Sequence, residues 1–239
     1  MSTIIYGKNA IASSLSNHKV ETLYVSTRLK TDRFTLKLPL NGINVKYVAD
    51  GELSHLAKTD RHQGFVALVK DYETVSLEEL IQNAKSEEYP LLAMLDGIED
   101  PHNLGAILRS ADAFGVKGII MKSHGEVSLN GTVAKVSTGA IDFVKVSVVT
   151  NLSNAIETLK KNGYWIVSSD GEATTLYDSI DYKCPICVVI GSEGFGISRL
   201  VLKNSDFVVK IPMYGHVNSL NASVAASTFF AMIDHLRRH

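Results

Sequence analysis

From residue 91 to the end of the chain, short apolar runs alternate with amphipathic stretches, and this alternation limits the possible folds more than any other feature. The runs 91–95, 118–121, 143–149, 165–168, 187–190 and 207–211 have the length of strands buried on both faces. Between several of them, residues 103–114, 152–160 and 219–237 carry apolar side chains at helical spacing. Parallel neighbours need a long crossover, usually a helix, so the pattern predicts a mostly parallel α/β sheet.

The first part of the chain reads as a separate, smaller α/β module. Strand candidates at 22–26, 45–48 and 65–69 are separated by helical stretches at 9–15 and 52–57. Residues 70–90, KDYETVSLEELIQNAKSEEYP, are acidic and polar, with one short helical pattern at Leu77, Leu80 and Ile81 and a closing proline. The expected organisation is a module over 1–69, a linker over 70–89 and a larger domain over 90–239.

With 239 residues, 45% of them apolar, the chain can bury real cores without covalent staples. Only Cys184 and Cys187 occur, no basic leader precedes an apolar run, and no apolar run approaches membrane-spanning length. The expected setting is soluble, reducing and cytoplasmic, with no membrane partner. The formal charge of −1 hides an uneven distribution. Residues 1–69 hold nine Lys or Arg against five acids, with His18, His55 and His62 in reserve, whereas 70–90 hold two against six. A basic module suits a nucleic-acid partner; ordinary solvated charge is the alternative.

In open α/β sheets, ligands bind beyond the carboxyl ends of strands. Three loops there are unusual. The first, DGIEDPHNLGAILRSADAFG, follows run 91–95; Asn103 is the expected helix N-cap, and Arg109 lies about 120° round the helix from it. The second, GSEGFG at 191–196, follows run 187–190. Gly191 and Gly196 have P-loop spacing, but Ile197 stands where that loop needs Lys, and the order does not fit a dinucleotide turn. Phosphate-cradling sites are therefore disfavoured. The third is IPMYGHVNSLNASVA at 211–225, in which Ser219 is the expected cap of the following helix. Asn221, Ser223, Ala222, Ala225 and Ala226 make a small-residue face suited to a neutral, shape-selective ligand. Each loop alone is equally readable as a capped helix or a surface turn.

Other chemistries lack their residues. C-P-I-C at 184–187 supplies two thiols, too few for a zinc site, and no paired histidine motif accompanies it. A metal site is not expected, and no G-x-S-x-G nucleophile elbow is present.

Taken in order, the three loops resemble the three signature motifs of the SpoU family within the SPOUT methyltransferases. Asn103, Gly105, Arg109 and Ala111 match the first; Gly191, Glu193 and Gly196 the second; Pro212, Gly215, Ser219, Leu220, Asn221, Ser223 and Ala225 the third. KVSTGA at 135–140 looks like the turn between them, while IYGKNAI at 5–11 and RHQGFVAL at 61–68 resemble the ends of a substrate-binding domain related to ribosomal protein L30e.

The resemblance implies a deep trefoil knot in the C-terminal domain, a homodimer with active sites at the subunit interface, and S-adenosylmethionine as methyl donor. It implies that Gly191, Ile211 and Leu220 contact the cofactor, with Ser192, Met213 and Thr138 lining the same pocket. It implies methyl transfer to a ribose 2′-hydroxyl of RNA, most similar to enzymes acting on a guanosine of 23S rRNA. The alternatives are a tRNA-directed or resistance-type enzyme and a non-catalytic RNA-binding protein.

Within the family the position of Arg109 is given the task of removing the hydroxyl proton, with Asn103, Glu193, Ser219 and Asn221 shaping the site. An arginine in a protein essentially never loses its proton. Held beside a phosphate, Arg109 can instead orient the ribose and stabilise a developing alkoxide; both roles stay open.

Overall fold

The computed structural model describes residues 2–16, 19–70 and 72–238, so His18 of the basic module and Asp71 of the expected linker lie outside the described residues. The chain divides into two compact units, one of Met1–Tyr72 with Leu129–Gly131, the other of Glu73–Ser128 with Thr132–His239.

The first unit contains β1 (Ser2–Tyr6), α1 (Lys8–Ser16), β2 (Val20–Ser26), α2 (Arg33–Leu36), β3 (Asn44–Val48), α3 (Asp50–Ala57) and β4 (Phe65–Lys70). Its sheet runs β1-β4-β2-β3, with β4 antiparallel to both neighbours and β2 parallel to β3. The alternation in β2 and β4 explains the core: Leu23, Val25, Phe65, Ala67 and Val69 meet Ile11 and Leu15 of α1. Strand β1 was not anticipated, because its apolar residues are too few to stand out from the turn that follows.

The second unit contains α4 (Leu77–Ala84), β5 (Leu91–Asp96), α5 (Pro101–Ala113), β6 (Gly118–Lys122), α6 (Gly131–Ser137) and β7 (Lys145–Val149). It continues with α7 (Leu152–Lys161), β8 (Trp165–Ser169), β9 (Thr175–Leu176), β10 (Ile186–Gly191), α8 (Arg199–Asn204), β11 (Phe207–Lys210) and α9 (Ala222–Arg238). The seven strands lie in the order β7-β6-β5-β10-β8-β11-β9, all parallel. The expected α/β class with a large parallel sheet is the observed one. One face is covered by α4, α7 and α8, which bury Leu80, Ile81, Ile156, Leu159 and Val201 against Met94, Ile120, Ile166 and Val189. On the other face α5 and α9 pack together, with α9 against β10.

The acidic segment supplies more structure than a linker. Ser76 caps α4, and Leu77, Leu80, Ile81 and Ala84 are buried in the core while Glu78 and Glu79 face solvent. Composition reports the solvent face of such a helix; its narrow apolar stripe decides where it goes.

From β5 the chain continues to β6 and β7 on one side of the sheet, and from β10 it continues to β11 on the other. The connections therefore diverge at β5/β10, opening a crevice at their carboxyl ends, where Asp96 is level with Gly191.

Candidate active site

Both strands that flank this crevice end in a sharp change of direction. After β10, residues 192–196 fold into a small closed loop: the Ser192 amide donates to the Gly196 carbonyl at 3.1 Å, and the Gly196 amide returns to the Ser192 carbonyl at 2.9 Å. Gly196 has φ +64°, and a Cβ at Gly191 would collide with the Gly196 carbonyl, so both glycines are structural necessities here. The loop carries Glu193 outward. Its Oε1 accepts from Asn103 Nδ2 at 2.7 Å and from Asn221 Nδ2 at 2.5 Å, while Asn221 Nδ2 also donates to Asn103 Oδ1 at 3.0 Å. One residue from each of the three motifs thus joins a single cluster.

The ends of two helices set this geometry. Asp100, not Asn103, caps α5, accepting the His102 amide at 2.8 Å with Pro101 in the first turn. Asn103 is therefore free inside that turn, and its side chain goes to Glu193. Likewise α9 begins at Ala222 rather than Ser219. Its cap is Asn221, whose Oδ1 accepts the amides of Ser223 (3.0 Å) and Val224 (3.3 Å) and the Ser223 hydroxyl (2.6 Å). Capping consumes the carbonyl oxygen of Asn221, so its amide nitrogen must face Glu193. Asn103 and Ser219 are plausible caps in the sequence because Asp, Asn and Ser compete for this position.

A cavity of about 240 Å³ lies between the ends of β8, β10 and β11. Gly191, Ser192, Ile211, Met213 and Leu220, all expected cofactor contacts, line it together with Ser219 and Glu193. Thr138 does not: it is exposed in a left-handed conformation, φ 51°, beyond the end of α6. Ser169, Asp170 and Gly171 do line the cavity. They were missed in sequence, although their position just beyond a parallel strand is the signal that marks such loops. No Lys or Arg occurs in the lining, which offers hydroxyls, backbone groups, apolar Ile190, Ile211, Met213 and Leu220, and the carboxylates of Asp170 and Glu193. Such walls fit a small molecule that is neutral or cationic and carries no phosphate.

Across the 192–196 loop lies a second cavity of about 540 Å³, lined by Asp96, Glu99, Asn103, Lys122 and Ser198 among others. Ser192, Glu193, Phe195 and Gly196 line both, so the loop is the partition. Its floor is a polar network. Asp96, 4% exposed, accepts from Lys122 Nζ at 2.7 Å and from the Ser198 amide at 2.8 Å. Burial pushes the Asp96 carboxyl up, but Lys122 and Ser198 more than offset this and leave it below its ordinary value. Glu126 accepts the Gly97 amide on one oxygen and the Lys122 amide on the other, both at 3.0 Å. Burial raises it from 4.5 to about 7 despite those bonds. The network ties the approach to α5, the end of β6 and the far end of the Glu193 loop into one support.

Arg109 stands apart. It is exposed two turns along α5, lines neither cavity, and its side chain makes no hydrogen bond or ion pair among the described residues. Six residues at ~1.5 Å rise put its Cα about 9 Å along the axis from that of Asn103, and its side chain takes no part in the hydrogen bonds among Asn103, Glu193 and Asn221. Cys184 and Cys187 behave as structural residues. Both are free thiols, Cys187 is buried in β10, burial pushes both thiols up, and the Cys184 carbonyl accepts from Arg237 at 3.0 Å. Among the described residues no cluster of His, Cys, Asp or Glu is arranged to hold a metal ion, and no helix is long and apolar enough to cross a membrane.

Residues 90–231 match the SpoU rRNA Methylase family, and residues 4–75 match the RNA 2′-O ribose methyltransferase substrate binding family. A Staphylococcus saprophyticus protein assigned to the TrmH family of tRNA/rRNA methyltransferases is 44% identical over 229 residues, spanning 94% of this chain and 92% of its own. Among solved structures, the SpoU methyltransferase AviRb of Streptomyces viridochromogenes in complex with the cofactor AdoMet superposes with a TM-score of 0.70 at 23% identity, over 99% of this chain and 91% of that one. An AdoMet-bound rRNA methyltransferase of Sinorhizobium meliloti gives 0.68 at 22% identity, over 98% and 87%. With its three motifs gathered at the switch point of a parallel sheet and its length covered by these matches, the chain belongs to the SpoU family of RNA methyltransferases.

Proposed function

We propose that this protein transfers a methyl group from S-adenosylmethionine to a ribose 2′-hydroxyl of RNA, with a guanosine of 23S rRNA as the target, and that it works as a cytoplasmic homodimer. The observation that carries the reading is the Asn103–Glu193–Asn221 cluster at the lip of a cavity without basic side chains. That cavity suits the cofactor, which is a sulfonium with a planar base and no phosphate. When bound, the cofactor supplies an electrophilic methyl group.

The residues of the chain do the rest. Gly191, Ser192, Ile211, Met213 and Leu220 hold the cofactor, largely through backbone groups and apolar contact. Glu193, fixed by two amide donors, presents an oxygen on the side where a ribose hydroxyl enters. Transfer needs an in-line approach, so this fixed geometry supplies much of the acceleration. Arg109 orients the ribose and its phosphate as a guanidinium that keeps its own proton, so the hydroxyl proton leaves to a phosphate oxygen or to water. Its distance from the cluster of its own chain supports an active site completed by the partner subunit.

The basic residues of the 1–69 module hold the RNA, the 90–239 domain carries the reaction, and its C-terminal part is knotted. The match of residues 4–75 to a substrate-binding family supports the first assignment. A tRNA target is the second reading, favoured by the tRNA/rRNA assignment of the Staphylococcus relative. Mapping 2′-O-methyl marks in rRNA and tRNA from cells with and without the gene separates the two. Loss of one 23S mark supports the first, loss of a tRNA mark the second, and unchanged maps overturn both.

A further inference from the structure

Glu193 shares its loop with a side chain that the fold does not use. Phe195 is 97% exposed, whereas Phe65, Phe229 and Phe230 are fully buried. A phenylalanine stabilises a fold through the apolar surface it removes from water, and Phe195 removes almost none. Nor does the loop need an aromatic there. Its closure depends on the Ser192–Gly196 backbone pair, and the Phe195 amide donates to Ser192 Oγ at 3.3 Å without involving the ring. Single exposed apolar residues are common on protein surfaces, so exposure alone signifies little. Position is what distinguishes this one. Phe195 stands two residues from Glu193, on the partition, and lines both cavities.

We infer that Phe195 is a base-stacking residue, the platform on which an unpaired nucleobase of the RNA rests while its ribose is presented to Glu193. The inference rests on the RNA-directed function proposed above and names how that site holds its substrate. A ribose hydroxyl can approach Glu193 only if its nucleotide leaves the regular stack of the RNA, and a base so exposed loses its neighbours. An aromatic ring on a closed loop replaces that stacking without choosing among bases, since every base has a flat face. The polar part of recognition has its groups in the same cavity: Asn103, Glu99 and Lys122 line the larger cavity that Phe195 also lines. Phe195 is accordingly a binding residue for the base, distinct from the residues that hold the cofactor or face the hydroxyl.

The test compares binding of a short oligoadenylate with binding of the same ribose-phosphate chain lacking bases, at saturating S-adenosylmethionine. Backbone phosphate contacts are common to both probes and cancel in the comparison. The wild-type protein is expected to prefer the oligoadenylate by about 5- to 150-fold, the range carried by one base–aromatic stack. Phe195→Ala is expected to lose most of this preference, and Phe195→Leu likewise, because bulk without a π-face does not restore it. Phe195→Trp is expected to retain it and to show indole emission quenched by the oligoadenylate, with Trp165, the one native tryptophan, as the reference in the wild type.

Undiminished preference in Phe195→Ala overturns the inference. So does a loss that coincides with dissociation into monomers in sedimentation, which makes Phe195 a subunit contact. Failure of the proposed function is a separate result: the wild-type protein then methylates no RNA, whatever its preference between the two probes.

Discussion

Asn221 donates through its side-chain amide to Glu193 at 2.5 Å while its carbonyl oxygen caps α9. One side chain therefore fixes both the start of a helix and the direction of the carboxylate on the loop beside it. The two tasks use opposite ends of the amide, so they are separable by substitution.

Asn221→Asp keeps an oxygen for the cap but sets a second carboxylate against Glu193. Like charges at hydrogen-bonding distance repel, and the Glu193 side chain has to turn away. Methyl transfer is expected to fall at least tenfold, corresponding to ~1.4 kcal/mol, with little change in the thermal midpoint. Asn221→Ala loses the cap as well and is expected to cost about 1 kcal/mol of stability besides activity. Transfer assays and thermal melts of both variants check this; equal activity in wild type and Asn221→Asp excludes the assigned role of the amide.

Arg109→Ala is expected to abolish turnover while cofactor affinity, measured by calorimetry, stays within a few-fold. If the partner subunit supplies this arginine, mixed dimers of Arg109→Ala and Glu193→Ala contain one intact site. Co-refolding the two inactive proteins should then restore about a quarter of wild-type activity, as random pairing in a two-fold dimer requires. No recovery despite demonstrated mixed dimers places Arg109 in the site of its own chain.

Glu126 gives the stability curve a recognisable slope. Its carboxyl is raised from 4.5 to about 7, chiefly by burial, and it faces Asp96 from β5 and Lys122 from β6. The folded state therefore holds a proton that the unfolded chain has released, so this contribution is full below about pH 4.5 and is lost as pH rises to about 7. Asp96 has the opposite sign, and its stabilisation is lost only as pH falls below its ordinary 3.8, outside that window. Glu126→Gln should flatten the dependence of the thermal midpoint between pH 4.5 and 7. A variant curve parallel to the wild type contradicts the assignment.

Gly105 lies where α5 passes α6. A Cβ there would meet the Val136 Cβ at 2.6 Å and the Val133 carbonyl at 3.0 Å. Gly105→Ala is expected to destabilise by roughly 1–3 kcal/mol through overpacking, although alanine is otherwise the better helix former. A denaturant midpoint at or above that of the wild type shows that α6 yields without cost.

Several of these properties were determined by the sequence alone. The alternation of apolar runs and amphipathic stretches specifies the parallel sheet, because local periodicity is set by backbone geometry and survives any rearrangement of the parts. The three motifs specify the family, since Asn103, Glu193 and Asn221 are matched in order within it. The tertiary structure decided what those residues do. Which polar residue caps α5 or α9 depends on competition among Asp100, Asn103, Ser219 and Asn221, settled only when Glu193 arrives from a loop 90 positions after Asn103. The apolar stripe of α4 needed the core to show its use. Phe195 is one aromatic among many in the sequence. Only its place on the partition between two cavities, where folding has no use for it, gives the ring a task.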